Sequence, residues 1–540
     1  MPAMELSQID LSTSPPGLAI PAQYNAAHDL IERNLAAGRA GKAAYIDDAG
    51  SYSYGQLAER VNRFAGSLHG LGLHQEQRIL LCLQDSIDFP VAFLGAIKAG
   101  IVPVPVNTLL TSADYAYMLY DSRALVLVVS EALLPQFQPI LQQSPFLKHV
   151  IVAGASGNPP PGAQLMSGLL ANASPTFTTA PTLRDEPCFW LYSSGSTGSP
   201  KGTVHVHSSL METAVYYAQA VLGLHQDDTT FSVAKLFFAY GLGNALTFPL
   251  SVGATSVLMA ERATPASVIE RLIRHRPTIF SGVPTLYASM LASKLLPPAG
   301  QLALRLCNSA GEALPEEIAR RWHEQTGVDI VDGIGSTEML HIFISNRPGR
   351  IRHGTLGLPV PGFEARVVND HGDSVPVGEI GDLIVRGSTS AKFYWNQRER
   401  SRNTFQGQWT RTGDRFLINE QGDFVFAGRA DDMLKVGGIY VSPIEVESAL
   451  TAHPAVHEAA VIGRQDADRL VKPAAYVVLA AGQNASKALE DELKNFVKAR
   501  LAPYKYPRWI EFVADLPKTA TGKIQRFKLR AASTPATSGS

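Results

Sequence analysis

The segment Tyr192-Ser-Ser-Gly-Ser-Thr-Gly-Ser-Pro-Lys201-Gly202 gathers the residue types that handle phosphate, directly after the apolar run Phe189 to Leu191. Glycines let backbone N–H groups turn toward an anion, Ser and Thr hydroxyls donate further hydrogen bonds, and a lysine adds a point charge suited to phosphate oxygens. Ser193, Ser194, Gly195, Ser196, Thr197, Gly198 and Lys201 are therefore the expected polyphosphate contacts. The spacing is not that of the common P-loop, which needs Gly before the lysine and Ser or Thr after it; here Pro200 and Gly202 stand there. By composition alone the segment also reads as a flexible surface loop. The lysine and the preceding strand favour the nucleotide.

Further segments follow in order: Ala310-Gly-Glu-Ala-Leu-Pro315, Asp332-Gly-Ile-Gly-Ser-Thr-Glu338, Trp409-Thr-Arg-Thr-Gly-Asp414, Gly428-Arg-Ala-Asp-Asp-Met-Leu-Lys435 and Pro517-Lys-Thr-Ala-Thr-Gly-Lys-Ile-Gln-Arg526. Together with the loop they resemble the motifs of the adenylate-forming enzymes, the superfamily of acyl- and aryl-CoA synthetases, nonribosomal peptide adenylation domains and beetle luciferases. The resemblance runs from about residue 25 to 530.

It implies that a carboxylic acid attacks the α-phosphate of ATP and that the acyl-adenylate then passes its acyl group to the thiol of coenzyme A. Both reactants are anions, so the site needs Mg²⁺ and a cation where charge gathers in the transition state. The resemblance gives these tasks to Glu338, as magnesium ligand, and to Lys523, with Thr337 bonding phosphate or the acyl group. From charge pattern alone Lys523 reads as part of a solvated basic tail with Lys518, Arg526, Lys528 and Arg530. Glu338 alone could equally be a helix-start carboxylate. Gly311, Glu312, Asp332, Gly333 and Ile334 are expected along the adenine, and Asp414 and Arg429 at the ribose. Ile334 departs from the family, where many members carry an aromatic residue. Asp431 is the expected hinge, about which a C-terminal unit withdraws Lys523 and presents Lys435, Gly437 and Gly438 to CoA; without the resemblance, the two glycines are a turn between strands. The thiol needs no dedicated base, since a free thiol is already a few per cent ionised near neutrality.

The acid is expected between Lys235-Leu-Phe-Phe-Ala-Tyr-Gly241 and Glu338-Met-Leu-His-Ile-Phe-Ile-Ser345, segments that most resemble the benzoate-CoA ligases. Phe238, Ala239, Tyr240, Gly335, His341 and Ile342 would form a short, flat-walled pocket suited to an aryl acid such as benzoate or a ring-substituted relative. The other reading is that these aromatics are plain core and His341 a satisfied buried histidine. His207 is expected to be structural. The rival functions are transfer to a carrier-protein thiol, a short- or medium-chain acyl-CoA synthetase, and a non-catalytic nucleotide-binding protein.

The elements that must position these residues are legible as alternation. Ser53 with Gln56 forms a capping box ahead of Leu57, Val61, Phe64, Leu68 and Leu71, a helical stripe ending before Gly72. Arg78 to Leu83, Ala124 to Val129 and His149 to Ala153 read as strands buried on both faces. The pattern predicts an α/β fold: a large N-terminal domain, 1–430, with parallel α/β sheets, and a small, mobile C-terminal α+β domain, 431–540. In the latter Ser442-Pro-Ile-Glu445 reads as a capping box with Pro at the first helical position, followed by strands at Val456 to Ile462 and Ala474 to Leu479, a helix from Ser486 and a strand near Trp509 to Val513. With 47 Lys plus Arg against 48 Asp plus Glu among 540 residues, no field attracts nucleic acid or an anionic membrane. Small-molecule partners are expected, with a monomer or homodimer in the cytoplasm. Cys82, Cys188 and Cys307 lack metal-site spacing and read as core thiols. Val91 to Val106, the most apolar stretch, is broken by Lys98, Pro103 and Pro105, which argues against a membrane span.

Overall fold

The computed structural model describes residues 4–154, 157–193, 200–312, 314–430, 432–436, 439–466, 470–502, 504–518 and 524–533. The capping box forms as the spacing predicts: Ser53 accepts from the Gln56 amide, the Gln56 side chain returns the bond, and the helix Tyr54–Gly70 follows. Its apolar stripe meets the helix Asp88–Lys98, nearly all of which is buried. Gly95 permits that approach, because a Cβ there would come within 2.9 Å of the Phe64 ring. Lys98, which interrupts the apolar stretch, is buried and paired with Glu32 at 3.2 Å. Among the described residues no helix is long and apolar enough to cross a membrane.

Two sheets carry the α/β architecture. One is wholly parallel, in the order Val102–Pro105, Arg78–Cys82, Val126–Ser130, His149–Ala153, Ala163–Leu165. The other has nine strands, and its interior runs parallel from Ile330–Gly335 through Leu306–Ser309, Ile279–Gly282, Thr229–Ser232 and Thr255–Val257 to Ala43–Asp47. Antiparallel strands close both edges of the nine-stranded sheet, Gly50–Ser53 on one side and Ile342–Ser345 followed by Leu358–Pro359 on the other. Parallel strands gather ligands outside their carboxyl ends. Gly311 and Glu312 follow the carboxyl end of Leu306–Ser309, and Ser309 sits beside Asp332 of the next strand.

The C-terminal part has its own core around Val446, Val461, Val477 and Leu493. Strands Val456–Gln465, Val471–Leu479 and Trp509–Phe512 form a mixed sheet flanked by helices Pro443–Thr451 and Lys487–Lys498. Ser486 caps the second helix by accepting from the Leu489 amide. The first helix corrects an expectation: Ser442 accepts from the Glu445 amide, but Glu445 does not complete a capping box. Its carboxylate instead takes Lys505, with Nζ 2.6 and 2.7 Å from the two oxygens. An ion pair competes successfully with a bond to a neutral amide.

All three cysteines are buried thiols. Burial pushes Cys82 and Cys307 up to about 12, far from a reactive thiolate.

Candidate active site

Antiparallel strands Pro187–Ser193 and Lys201–Val206 form the stem of the Gly/Ser loop, with Ser193 directly opposite Lys201. Ser194, Gly195, Ser196, Thr197 and Gly198 lie outside the described residues, as do Asp431, Gly437, Gly438, Lys523 and the side chain of Lys435. What the stem presents is clear. Ser193 Oγ donates to Glu338 Oε1 at 3.3 Å, and Lys201 Nζ lies 3.7 Å from the same oxygen, with both the Lys201 and Glu338 side chains 17% exposed. Burial lowers the Lys201 ammonium from its usual range while Glu338 opposes that shift.

Tyr394, which the sequence reading did not single out, completes the cluster. Its hydroxyl donates to Glu338 Oε1 at 2.7 Å and accepts from Lys201 Nζ at 3.3 Å; the ammonium also lies 4.4 Å from the centre of the Tyr394 ring. The short strand Phe393–Tyr394 pairs with Thr203 and Val204, which fixes that ring beside the stem. Tyr394→Phe is expected to raise the KM for MgATP about tenfold with a smaller effect on kcat, since one charge-assisted hydrogen bond is worth about 1.5–3 kcal/mol; initial rates at varied MgATP check it.

The segment carrying Glu338 is tied down on several sides. His205 Nε2 donates to Thr337 O at 2.8 Å, Ala391 N to Glu338 O at 2.7 Å and Thr389 Oγ1 to Met339 O at 2.8 Å. His205 can serve because burial pushes it down to about 4, leaving a neutral ring. Leu340 takes the left-handed backbone conformation, φ 66°, and turns the chain between Glu338 and His341. Strain of this kind persists where surrounding bonds over-determine it.

Three residues beyond Glu338 the chemistry changes from ionic to aromatic. His341 is 3% exposed, its ring 4.5 Å from Phe248, 5.4 Å from Tyr217 and 5.5 Å from Tyr240. Its Nε2 donates to Tyr240 O at 3.3 Å, leaving Nδ1 a bare acceptor, and burial pushes the ring down to about 3. His341 is therefore buried but not satisfied, unlike His207, whose Nδ1 accepts from the Ala26 amide. Phe238, Ala239 and Tyr240 are half-buried; Tyr240 lies in ring contact with His341, while Phe238 packs on Phe237 and, with Ala239, against a different hydrophobic cluster; Gly335 pairs with Ile342, whose side chain packs inward beneath Gly333. Lys235 and Leu236, at the start of the same segment, belong to the scaffold: Lys235 Nζ holds the carbonyls of Met259, Ala260 and Glu261, and Leu236 is core.

Two π-helical turns, Ala214–Gln219 and Gly243–Thr247, border the aromatic cluster and bring Tyr217 and Asn244 to it. Such turns recur at functional sites. Nothing in a 3.6-residue pattern announces them. A Cβ on Gly243 would run into the His341 ring, so the second turn can approach only with glycine there. Tyr217 Oη, Tyr240 Oη, Asn244 Nδ2 and Asn308 Oδ1 are buried without a hydrogen bond inside the chain.

Asp414 and Arg429, the expected ribose contacts, are brought together by antiparallel pairing of their strands, with Arg429 Nη1 donating to Asp414 Oδ1 at 2.7 Å. Asp414 is 5% exposed and Arg429 lies at the surface. Asp332 is buried, and that burial pushes its carboxyl up to about 8. Ile334 is half-buried at the end of the same strand. Around the undescribed 519–523, the chain is anchored on both sides: Lys518 pairs with Glu458 at 2.7 Å, and Arg526 with the buried Glu447 at 2.7 Å. Arg530 reaches Asp432 at 2.9 Å. These ion pairs overturn the solvated-tail reading for three of the four flanking basic residues. Among the described residues, no cluster of His, Cys, Asp and Glu could hold a metal by itself.

The fold, with its Gly/Ser-loop stem facing Glu338, is that of an adenylate-forming enzyme, and the chain belongs to the AMP-binding enzyme family: residues 32–395 match that family, and 445–523 match its C-terminal domain. The chain is 60% identical over 529 residues to a benzoate-CoA ligase of Thauera aromatica, covering 98% of this chain and 99% of that one. Among solved structures it is similar to a benzoate CoA ligase from Burkholderia xenovorans, with TM-score 0.88, 54% identity and coverage of 94% and 100%. It also resembles an anthranilate CoA ligase in complex with anthranoyl-AMP, with TM-score 0.90, 45% identity and coverage of 95% and 98%.

Proposed function

We propose that the protein converts benzoate, or a benzoate carrying a small ring substituent, to its CoA thioester through an acyl-adenylate. The carboxylate oxygen bonds to the α-phosphorus of ATP as pyrophosphate leaves; the CoA thiolate then bonds to the acyl carbon and AMP leaves. The observation that carries this reading is the continuity of the segment 338–341. Glu338 bonds the phosphate-loop stem, and three residues on His341 sits among Tyr217, Tyr240 and Phe248. An aryl acid held on the aromatic side would direct its carboxylate toward the phosphate side, and such placement lowers a barrier by removing orientational freedom.

ATP and CoA are the substrates of this class of ligase. Magnesium fits as an ion that arrives with ATP. One carboxylate, with no further acidic cluster among the described residues, is the donor set expected when phosphate oxygens and water supply the remaining ligands. Glu338 would meet the ion, which neutralises phosphate charge when bound. Lys201 and Ser193 would hold phosphate oxygens, Asp414 would accept from the ribose hydroxyls, and Arg429 would flank the same sugar. Gly311, Glu312, Asp332, Gly333 and Ile334 would border the adenine. Lys523 would serve the first half-reaction from a C-terminal unit, 431–540, that turns about Asp431 against 1–430. Lys435, Gly437 and Gly438 would then face CoA. This reading places the enzyme in the cytoplasm as a monomer or homodimer.

A panel of benzoate, hydroxybenzoates, aminobenzoates, cyclohexanecarboxylate and hexanoate in a thioester assay tests it. The expected result is highest kcat/KM for an aryl acid, with AMP release dependent on free CoA. Preference for hexanoate, or acyl-adenylate formation without CoA consumption, overturns it.

A further inference from the structure

Ser193 and Lys201, the two stem residues that face Glu338, stand opposite each other across an antiparallel pair. Side chains alternate along a strand, so Tyr192, one position before Ser193, turns to the other face. There it packs on the hydrophobic cluster that includes Tyr115, Leu119 and Trp190. The helix Ser112–Ser122 supplies Tyr115 and Leu119 and so backs the stem. Thr111 and Asp114 form a capping box at its start.

Tyr117 and Asp121, four residues apart on one side of that helix, both reach the stem. Asp121 Oδ2 accepts from the Tyr192 hydroxyl at 2.7 Å, and the Tyr117 hydroxyl donates to Pro200 O at 3.1 Å. Tyr192 and Pro200 are the residues immediately before Ser193 and Lys201. A third tie runs through Trp395, whose Nε1 donates to Asp121 O at 3.0 Å and whose amide donates to Gly202 O at 2.8 Å. The Trp395 ring lies 4.6 Å from that of Trp190, with the Arg78 guanidinium 5.3 Å from its centre. Burial raises the Asp121 carboxyl from its usual range, and the Tyr192 hydroxyl opposes the shift by bonding to the charged form.

We propose that Tyr117 and Asp121 are positioning residues for ATP: through Pro200 and Tyr192 they hold Lys201 and Ser193 at the spacing that lets both meet phosphate oxygens beside Glu338. This rests on the reading of Ser193 and Lys201 as phosphate contacts. A misplacement of about 1 Å in a group that orients a reactant can cost on the order of 10²-fold in rate, so bonds made behind the stem bear on the reaction in front of it.

Initial rates of the full-length enzyme at varied MgATP and at varied benzoate test the proposal, with melting curves to confirm folding. Tyr192→Phe and Asp121→Ala should each raise the KM for MgATP about five- to tenfold, and Tyr117→Phe about threefold, for loss of one hydrogen bond to a charged or a neutral acceptor. The KM for benzoate should stay within about twofold. Asp121→Asn, which keeps an oxygen to accept from Tyr192, should recover most of the loss. Asp114→Ala, which breaks the capping box of the same helix, should lower the melting temperature and leave the KM for MgATP unchanged. An equal rise in both KM values, a rise in Asp114→Ala matching that in Asp121→Ala, or an unchanged KM for MgATP in a folded Tyr192→Phe or Tyr117→Phe variant overturns the proposal; either tyrosine variant decides the matter if the other does not fold. Lys201→Met tells this failure from that of the reading beneath it. A raised KM for MgATP in Lys201→Met alone sinks the positioning role and leaves the phosphate contact standing, whereas an unchanged KM in Lys201→Met sinks both.

Discussion

Glu338→Gln is expected to lower the rate of benzoate-dependent ATP–pyrophosphate exchange by about 10²–10³, the cost of removing one preorganised electrostatic group from a transition state. The substitution keeps the shape of the side chain, and Tyr394 can still donate to an amide oxygen. What disappears is the negative charge facing Lys201 and any magnesium ion carried in with ATP. The required Mg²⁺ concentration should rise, while the KM for the acid should stay within about threefold, because the aromatic wall at His341 is untouched. Loss of a half-buried pair at 3.7 Å costs stability only modestly, on the order of 1 kcal/mol, so a folded variant is expected. Exchange within about threefold of wild type would remove Glu338 from the chemistry.

Lys523→Ala should separate the two half-reactions. Adenylation is expected to fall by about 10²–10³ for loss of a cation placed against developing charge. Thioester formation from chemically prepared benzoyl-adenylate and CoA should stay within about fivefold of wild type, because the lysine is proposed to withdraw before that step. Rapid-quench measurement of each half-reaction checks the division. Equal loss in both would mean that Lys523 acts on a shared element, and no loss in either would restore the solvated-tail reading for this residue. Acetylation of the same amine would mimic the alanine by removing the charge.

Much of the scaffold was legible because its signals are local. The capping box of Ser53 and Gln56, the N-cap at Ser486 and the buried strands Arg78–Cys82, Val126–Ser130 and His149–Ala153 each depend on residues a few positions apart, and each formed near where its spacing predicts. The chemical motifs could be read for the same reason: glycines, hydroxyls and a lysine in one loop suggest phosphate without reference to anything distant, and the family they resemble is the one that the chain belongs to.

The contacts that turn these motifs into a site were not legible, because their partners are far apart along the chain. Glu338 receives Tyr394 from 56 positions away and Ser193 from 145, and no pairing of residue types predicts either. Glu445 left its expected capping role for Lys505, 60 positions on, and Arg526 found Glu447 across 79. The π-helical turns bearing Tyr217 and Asn244 arise from packing, since a close approach at Gly243 depends on where the His341 ring lies. The amino-acid order by itself determined the N-caps at Ser53, Ser442 and Ser486 and the helical and strand periodicities, since these rest on neighbours a few positions apart. Tertiary structure alone decided which charges meet and which polar atoms are left buried without a partner, since burial and long-range pairing have no local signature.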